Sequence, residues 1–137
     1  MPLFYVDASA LVKLVRDEPE SDALRNFLAG ADLVSSELVL VEVGRAIWRA
    51  AGDDPALPVE VLVERAGEVL DAVGLLPLDR ALLEAAAAIT EPALRALDAI
   101  HVTSAIDLSP LDGLVTYDVR QGAAARLAGL RTLSPGA

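Results

Sequence analysis

Short apolar runs recur along the chain at residues 3–6, 32–35, 74–77, 114–117 and 130–133, separated by longer stretches with helical spacing. Runs of this length, rich in Leu and Val, read as buried strands. Between them, apolar residues three and four apart predict helices over 10–16, 21–28, 38–51, 59–73, 80–89, 99–108 and 121–127. Strands that alternate with helices pair in parallel through right-handed crossovers. The expected fold class is therefore α/β, a three-layer α/β/α sandwich around a central parallel sheet. The one linker-like stretch, AGDDPALP at 51–58, is too short to divide domains and joins two helices, so residues 1–137 are read as a single domain.

Composition narrows the chemistry more than the fold. The hydrophobic fraction is 54% and the charged fraction 23%, which suits a core-rich globular domain and excludes a disordered or collagen-like chain. There is no cysteine and only one histidine, His101, so disulfides, thiolate metal sites and multi-histidine clusters are excluded. Any metal must be held mainly by oxygen. No apolar run reaches about 18 residues and no basic, apolar and cleavage-site sequence opens the chain, so a cytoplasmic protein without a membrane anchor is expected. A net charge of −10 repels polyanions at long range. The basic residues are nonetheless almost all arginine, the side chain best suited to bidentate contact with phosphate or carboxylate.

Four acids stand out against this background. In open parallel sheets ligands bind beyond the carboxyl ends of the strands, and Asp7 in FYVD and Asp118 in GLVTYD lie at such ends. Asp98, in LRALDAIHVTSAI, opens a predicted helix, so three carboxylates are able to converge on one rim. The competing reading is that each is only a helix cap. Ser9 is an alternative cap that would leave Asp7 free. Glu42, on the helix ELVLVEVGRAIWRAAG, borders the apolar face made by Val39, Leu40, Val43, Ala46, Ile47 and Ala50, although with Arg45 and Arg49 it also fits a salt-bridged stripe. Two carboxylates about 4 Å apart repel by about 4 kcal/mol at an effective dielectric of about 20. Four gathered together rival the whole stability of a domain, about 5–15 kcal/mol. A divalent cation or protonation must relieve them, and with oxygen ligands Mg²⁺ or Mn²⁺ is the natural ion.

These residues, in this order, resemble the PIN-domain ribonucleases and, within them, the VapC toxins of bacterial toxin–antitoxin pairs. VDASALVKLVRDEPES at 6–21 is similar to the family's first strand and first acid, with the small hydroxyl residue Ser9 two positions on. SSELVLVEVGRA at 35–46 matches the segment carrying the second acid, LDAIHVTSAI at 97–106 the third, and LVTYD at 114–118 the fourth, with Thr116 beside it. The resemblance spans nearly the whole chain. It implies a central parallel sheet of four or five strands, Mg²⁺-dependent cleavage of RNA phosphodiester bonds, and Asp7, Glu42, Asp98 and Asp118 as the catalytic residues. Asp7 and Asp98 are the expected metal ligands, with Glu42 and Asp118 completing the site or orienting water.

The same resemblance implies two protein partners, a second copy of the chain and a small VapB-type antitoxin that covers the site. Leu38, Val41 and Trp48 form a second apolar stripe on the Glu42 helix that fits such an interface or a helix buried between layers. RNA would be held locally by Lys13, Arg16, Arg45, Arg49 or Arg120 despite the net charge. His101, one turn after Asp98, either meets that carboxylate or completes a packed face, and the packed role is favoured. Two alternatives accompany the nuclease reading. One is a PIN-like binding module without catalysis. The other is an aspartyl phosphotransfer domain, disfavoured because no second acid adjoins Asp7 and the sole lysine, Lys13, comes early in the chain.

Overall fold

In the computed structural model, which describes residues 1–137, the LFYV run forms β1 (Leu3–Val6) at the centre of a five-stranded sheet. A central strand covered on both faces has no polar side to show. Phe4, Tyr5 and Val6 are accordingly all buried. Along the chain follow α1 (Ala8–Val15), α2 (Ser21–Leu28), β2 (Asp32–Ser36), α3 (Val39–Asp53), α4 (Val59–Asp71) and β3 (Gly74–Leu76). Then come α5 (Arg80–Ala87), α6 (Ala96–Leu108), β4 (Gly113–Val115), α7 (Val119–Leu127) and β5 (Thr132–Leu133). Every strand pair is parallel, in the order β3-β2-β1-β4-β5. The expected α/β class and parallel sheet are what the chain adopts.

Side chains of β1 alternate between two cores, as strand geometry requires. Phe4 and Val6 join the larger one with residues of α1, α2, α3 and α4, including Leu11, Leu24, Val43 and Leu62. Tyr5 points into a smaller core with Leu114, Ala105 of α6 and Ala125 of α7. Helices thus cover both faces and complete the three layers. The sheet grows outward from β1 to β3 on one side, and then from β4 to β5 on the other. Strand order therefore reverses between β1 and β4, the point where open α/β sheets bind ligands. The β1–β4 register ends on the pair Val6 and Val115, so Asp7 and Thr116 leave the sheet side by side.

Several boundaries differ from the periodic reading. Helix α1 starts at Ala8 because Asp7, not Ser9, is its N-cap and accepts from the Ala10 N–H. Helix α6 begins three residues before the expected 99, uncapped at Arg95, which puts Asp98 inside its first turn. The exposed Ala96 and Leu97 carry no inward apolar signal by which that turn could be recognised. On α3, Val39, Val43 and Ile47 are buried at intervals of four, whereas Leu40, assigned to the same face, is half exposed. Leu40 sits at the edge of that stripe, about 60° from its centre at about 100° per residue. The glycines that follow α2 and α7, Gly30 and Gly129, adopt φ of +76° and +85° and close those helices in the left-handed conformation. No helix is long and apolar enough to cross a membrane.

Candidate active site

The reversal point carries a buried carboxylate. Asp7 is 4% exposed, and its Oδ1 accepts from Ser9 Oγ at 2.6 Å and from the Ala10 N–H at 3.1 Å. Its Oδ2 accepts from the Thr116 hydroxyl. Burial pushes the Asp7 carboxyl above its ordinary range, and the bonds from Ser9 and Thr116 oppose that push without cancelling it. The two hydroxyls also serve the neighbouring backbone: Ser9 Oγ accepts the Tyr117 N–H at 2.8 Å, and Thr116 Oγ1 the Asp118 N–H at 3.0 Å. Asp7, Ser9 and Thr116 thereby tie the start of α1 to the turn that leads into α7.

Asp118 caps α7, its Oδ1 accepting the N–H groups of Arg120 at 2.9 Å and Gln121 at 3.1 Å. Capping uses one oxygen; Asp118 itself is exposed. Asp98 is half buried, and its Oδ2 is shut away from solvent with no hydrogen-bond partner. An ionised oxygen in that condition is costly unless a cation or a proton joins it. Glu42, in the first turn of α3, receives His101 Nε2 at 2.7 Å on Oε1. His101 therefore meets Glu42 and not Asp98, the carboxylate its spacing had suggested.

Glu42, Asp98 and Asp118 line one open cleft of about 750 Å³, together with Arg95 and Arg120. Asp7 does not line it. A second cleft of about 420 Å³ runs beside Ser9, Val41, Arg45 and Arg49, with Glu42 and Leu97 lining both. Arg45 and Arg49 make no ion pair with Glu42, so the salt-bridged stripe is not formed. Lys13 is occupied elsewhere, held by Glu18 at 2.9 Å and Glu20 at 2.8 Å and lying 4.8 Å from the centre of the Tyr117 ring. Arg95, which periodicity did not single out, instead stands at the mouth beside Arg120.

The donor set is one of oxygens, as a hard divalent cation prefers. No three Asp, Glu or His side chains are disposed to hold one ion among themselves. That arrangement departs from a closed protein cage, but Mg²⁺ is commonly bound by one or two carboxylates with water and phosphate supplying the rest. The unpartnered Oδ2 of Asp98 suits such a site, whereas Asp7, both of whose oxygens accept bonds from the protein, lies outside the cleft that Asp98 lines, so the four acids do not gather in a single pocket as expected.

Residues 4–127 match the PIN domain family. The chain belongs to that family. Among its relatives are Ribonuclease VapC35 of Mycobacterium tuberculosis, 39% identical over 141 residues covering 98% of both chains, and Ribonuclease VapC46 of the same organism, 39% identical over 137 residues covering 98% of this chain and 99% of the relative. The PIN domain is thus of the VapC type. Its fold is similar to that of PAE2754 from Pyrobaculum aerophilum, with a TM-score of 0.67 at 24% identity over 96% of this chain and 83% of that one. It is similar also to a chain of VapBC2 from Rickettsia felis bound to a promoter DNA fragment, with a TM-score of 0.63 at 15% identity over 97% and 98%.

Proposed function

We propose that this PIN domain is a Mg²⁺-dependent endoribonuclease, the toxin of a VapBC-type toxin–antitoxin pair acting in the cytoplasm. The observation that carries the reading is the gathering of Glu42, Asp98 and Asp118 on one cleft near the strand-order reversal, with Asp7 buried outside that cleft at the C-terminal end of β1. Kinship with proteins named ribonucleases supports the reaction class. Asp7 and Asp98 are the proposed metal ligands, Mg²⁺ or Mn²⁺ being the ion. When bound, such a cation supplies Lewis-acid charge to a scissile phosphodiester and makes water a stronger acid at neutral pH. Glu42 and Asp118 hold and orient that water, since Glu42 Oε2 and Asp118 Oδ2 take no hydrogen bond from the protein. Arg95 and Arg120 at the mouth hold the RNA phosphates.

A VapB-type antitoxin is the proposed partner, supported by the VapBC complex among the similar folds. The second cleft and the exposed Leu40, Val41 and Trp48 on α3 offer apolar surface for it. A homodimer is proposed for the isolated chain, and sedimentation as a strict monomer at micromolar concentration would remove it.

The test compares wild type, Asp7→Asn and Asp98→Asn on structured RNA with Mg²⁺, Mn²⁺ or EDTA. Cleavage by wild type alone, abolished by EDTA, is expected. Equal cleavage by all three proteins would mean a contaminating nuclease. Cleavage by none would favour the non-catalytic binding module, a reading to which the lack of a three-carboxylate cage lends support.

A further inference from the structure

Behind the acidic cleft lies a chain of three polar groups from three elements. Tyr5 of β1 is wholly buried, and its hydroxyl stands 2.6 Å from His101 Nδ1; the ring of His101, on α6, is 3% exposed. On its other edge His101 Nε2 stands 2.7 Å from Glu42 Oε1, on α3. A carboxylate accepts only, so Nε2 carries a hydrogen. The neutral ring then has a bare Nδ1, which needs a donor, and the Tyr5 hydroxyl is the one in reach. Burial holds Tyr5 as the neutral phenol that can donate.

A histidine kept only for packing would not need this order. An edge glutamate on a helix is ordinarily solvated by water and moves among rotamers. Here its Oε1 is pinned by a rigid ring that is itself set by a phenol from the central strand, and Oε2 takes no bond from the protein. His101 stands one turn after Asp98 on α6, so the same helix carries one acid of the cleft and contacts a second.

We propose that His101, its tautomer selected by Tyr5, is a positioning residue that donates from Nε2 to Glu42 Oε1 and so fixes Glu42 Oε2 at the cleft for water and the scissile phosphate. This rests on the nuclease reading of Glu42, and the experiment separates the two. His101 is the only histidine, so its ring nitrogens are assigned without ambiguity in long-range ¹H–¹⁵N spectra. Wild type is expected to show a protonated Nε2 and a bare Nδ1. Glu42→Gln shifts the Nε2–H signal, and Tyr5→Phe lets the two tautomers mix. A protonated Nδ1 with bare Nε2, or spectra unmoved by both substitutions, overturns the proposal whether or not RNA is cut.

In the activity arm, His101→Leu is expected to lower kcat for Mg²⁺-dependent cleavage of structured RNA about 10–100-fold with KM unchanged. His101→Gln, which keeps an N–H donor toward Glu42, recovers part of that loss. If Glu42→Gln and Asp98→Asn cleave like wild type, the nuclease reading of the site fails. If those two are dead while His101→Leu, folded by its amide spectrum, cleaves like wild type, the positioning role alone fails. Should His101→Leu not fold, Tyr5→Phe and His101→Gln decide: kcat equal to wild type in Tyr5→Phe, with no change in the ring spectrum, overturns the role.

Discussion

At the scale of the residue, Asp7 is asked to ionise where water does not reach. Burial raises its carboxyl above the usual value of 3.8, outweighing the bonds from Ser9 and Thr116, so between those two values the folded protein holds a proton that the unfolded chain has released. Stability falls as pH rises from the ordinary carboxylate range toward the raised folded value. Asp7→Asn is therefore expected to raise the Tm in metal-free buffer at pH 7, with the gain vanishing below the ordinary carboxylate range. Mg²⁺ should raise the Tm of wild type and leave that of the variant where it is. Thermal melts at several pH values with EDTA and with Mg²⁺ decide it, and a variant that melts lower at pH 7 sinks the argument. The position of Asp7 was legible in the sequence, because a lone acid after a short apolar strand has few places to go. Its hydroxyl partner Thr116 lies 109 residues away and is brought beside it by the register of two strands. His101 shows the same limit: spacing reveals Asp98 one turn earlier, while its hydrogen-bond partner, Glu42, belongs to another helix.

At the scale of the element, the helices that matter are α1 and α7, which leave β1 and β4 on opposite faces of the sheet. Their starts are joined by side chains rather than by backbone: Asp7 caps α1, Asp118 caps α7, and Thr116 bonds both neighbours. Thr116→Val keeps the shape and removes a donor to a buried carboxylate together with an acceptor for the Asp118 N–H. Leaving these groups unsatisfied is expected to cost about 1–3 kcal/mol in denaturant unfolding. The loss should be smaller in an Asp7→Asn background, since the two act as one network. Losses that simply add would show that the junction is not coupled. The element pattern itself was legible because five apolar runs separated by helical stretches leave little choice but a parallel sheet. Helix ends were less so. Periodicity sees buried positions, and the first turn of α6 is exposed and starts at an uncapped arginine.

At the scale of the whole molecule, the proposed RNA substrate must be held by a chain of net charge −10. Long-range repulsion must be overcome locally, within about 8–10 Å, the reach of a charge at physiological salt. Only cations free to face the ligand can do this. Lys13 is not one of them, because Glu18 and Glu20 both hold it. Arg95 and Arg120 line the acidic cleft, and Arg45 and Arg49 line the neighbouring one. If Arg95 and Arg120 each neutralise one phosphate of single-stranded RNA, replacing both with Ala removes about 1.4 from the slope of log affinity against log salt. Affinity should fall most at low salt, where counterion release contributes most. Lys13→Ala should leave that slope unchanged while lowering the Tm, because it breaks two partly buried ion pairs and touches no part of the cleft. Binding of a cleavage-deficient Asp98→Asn protein to labelled RNA across a salt series measures both effects. A slope that followed Lys13 instead of the arginine pair would move the RNA away from the acidic cleft, and with it the reason for reading three carboxylates there as a site.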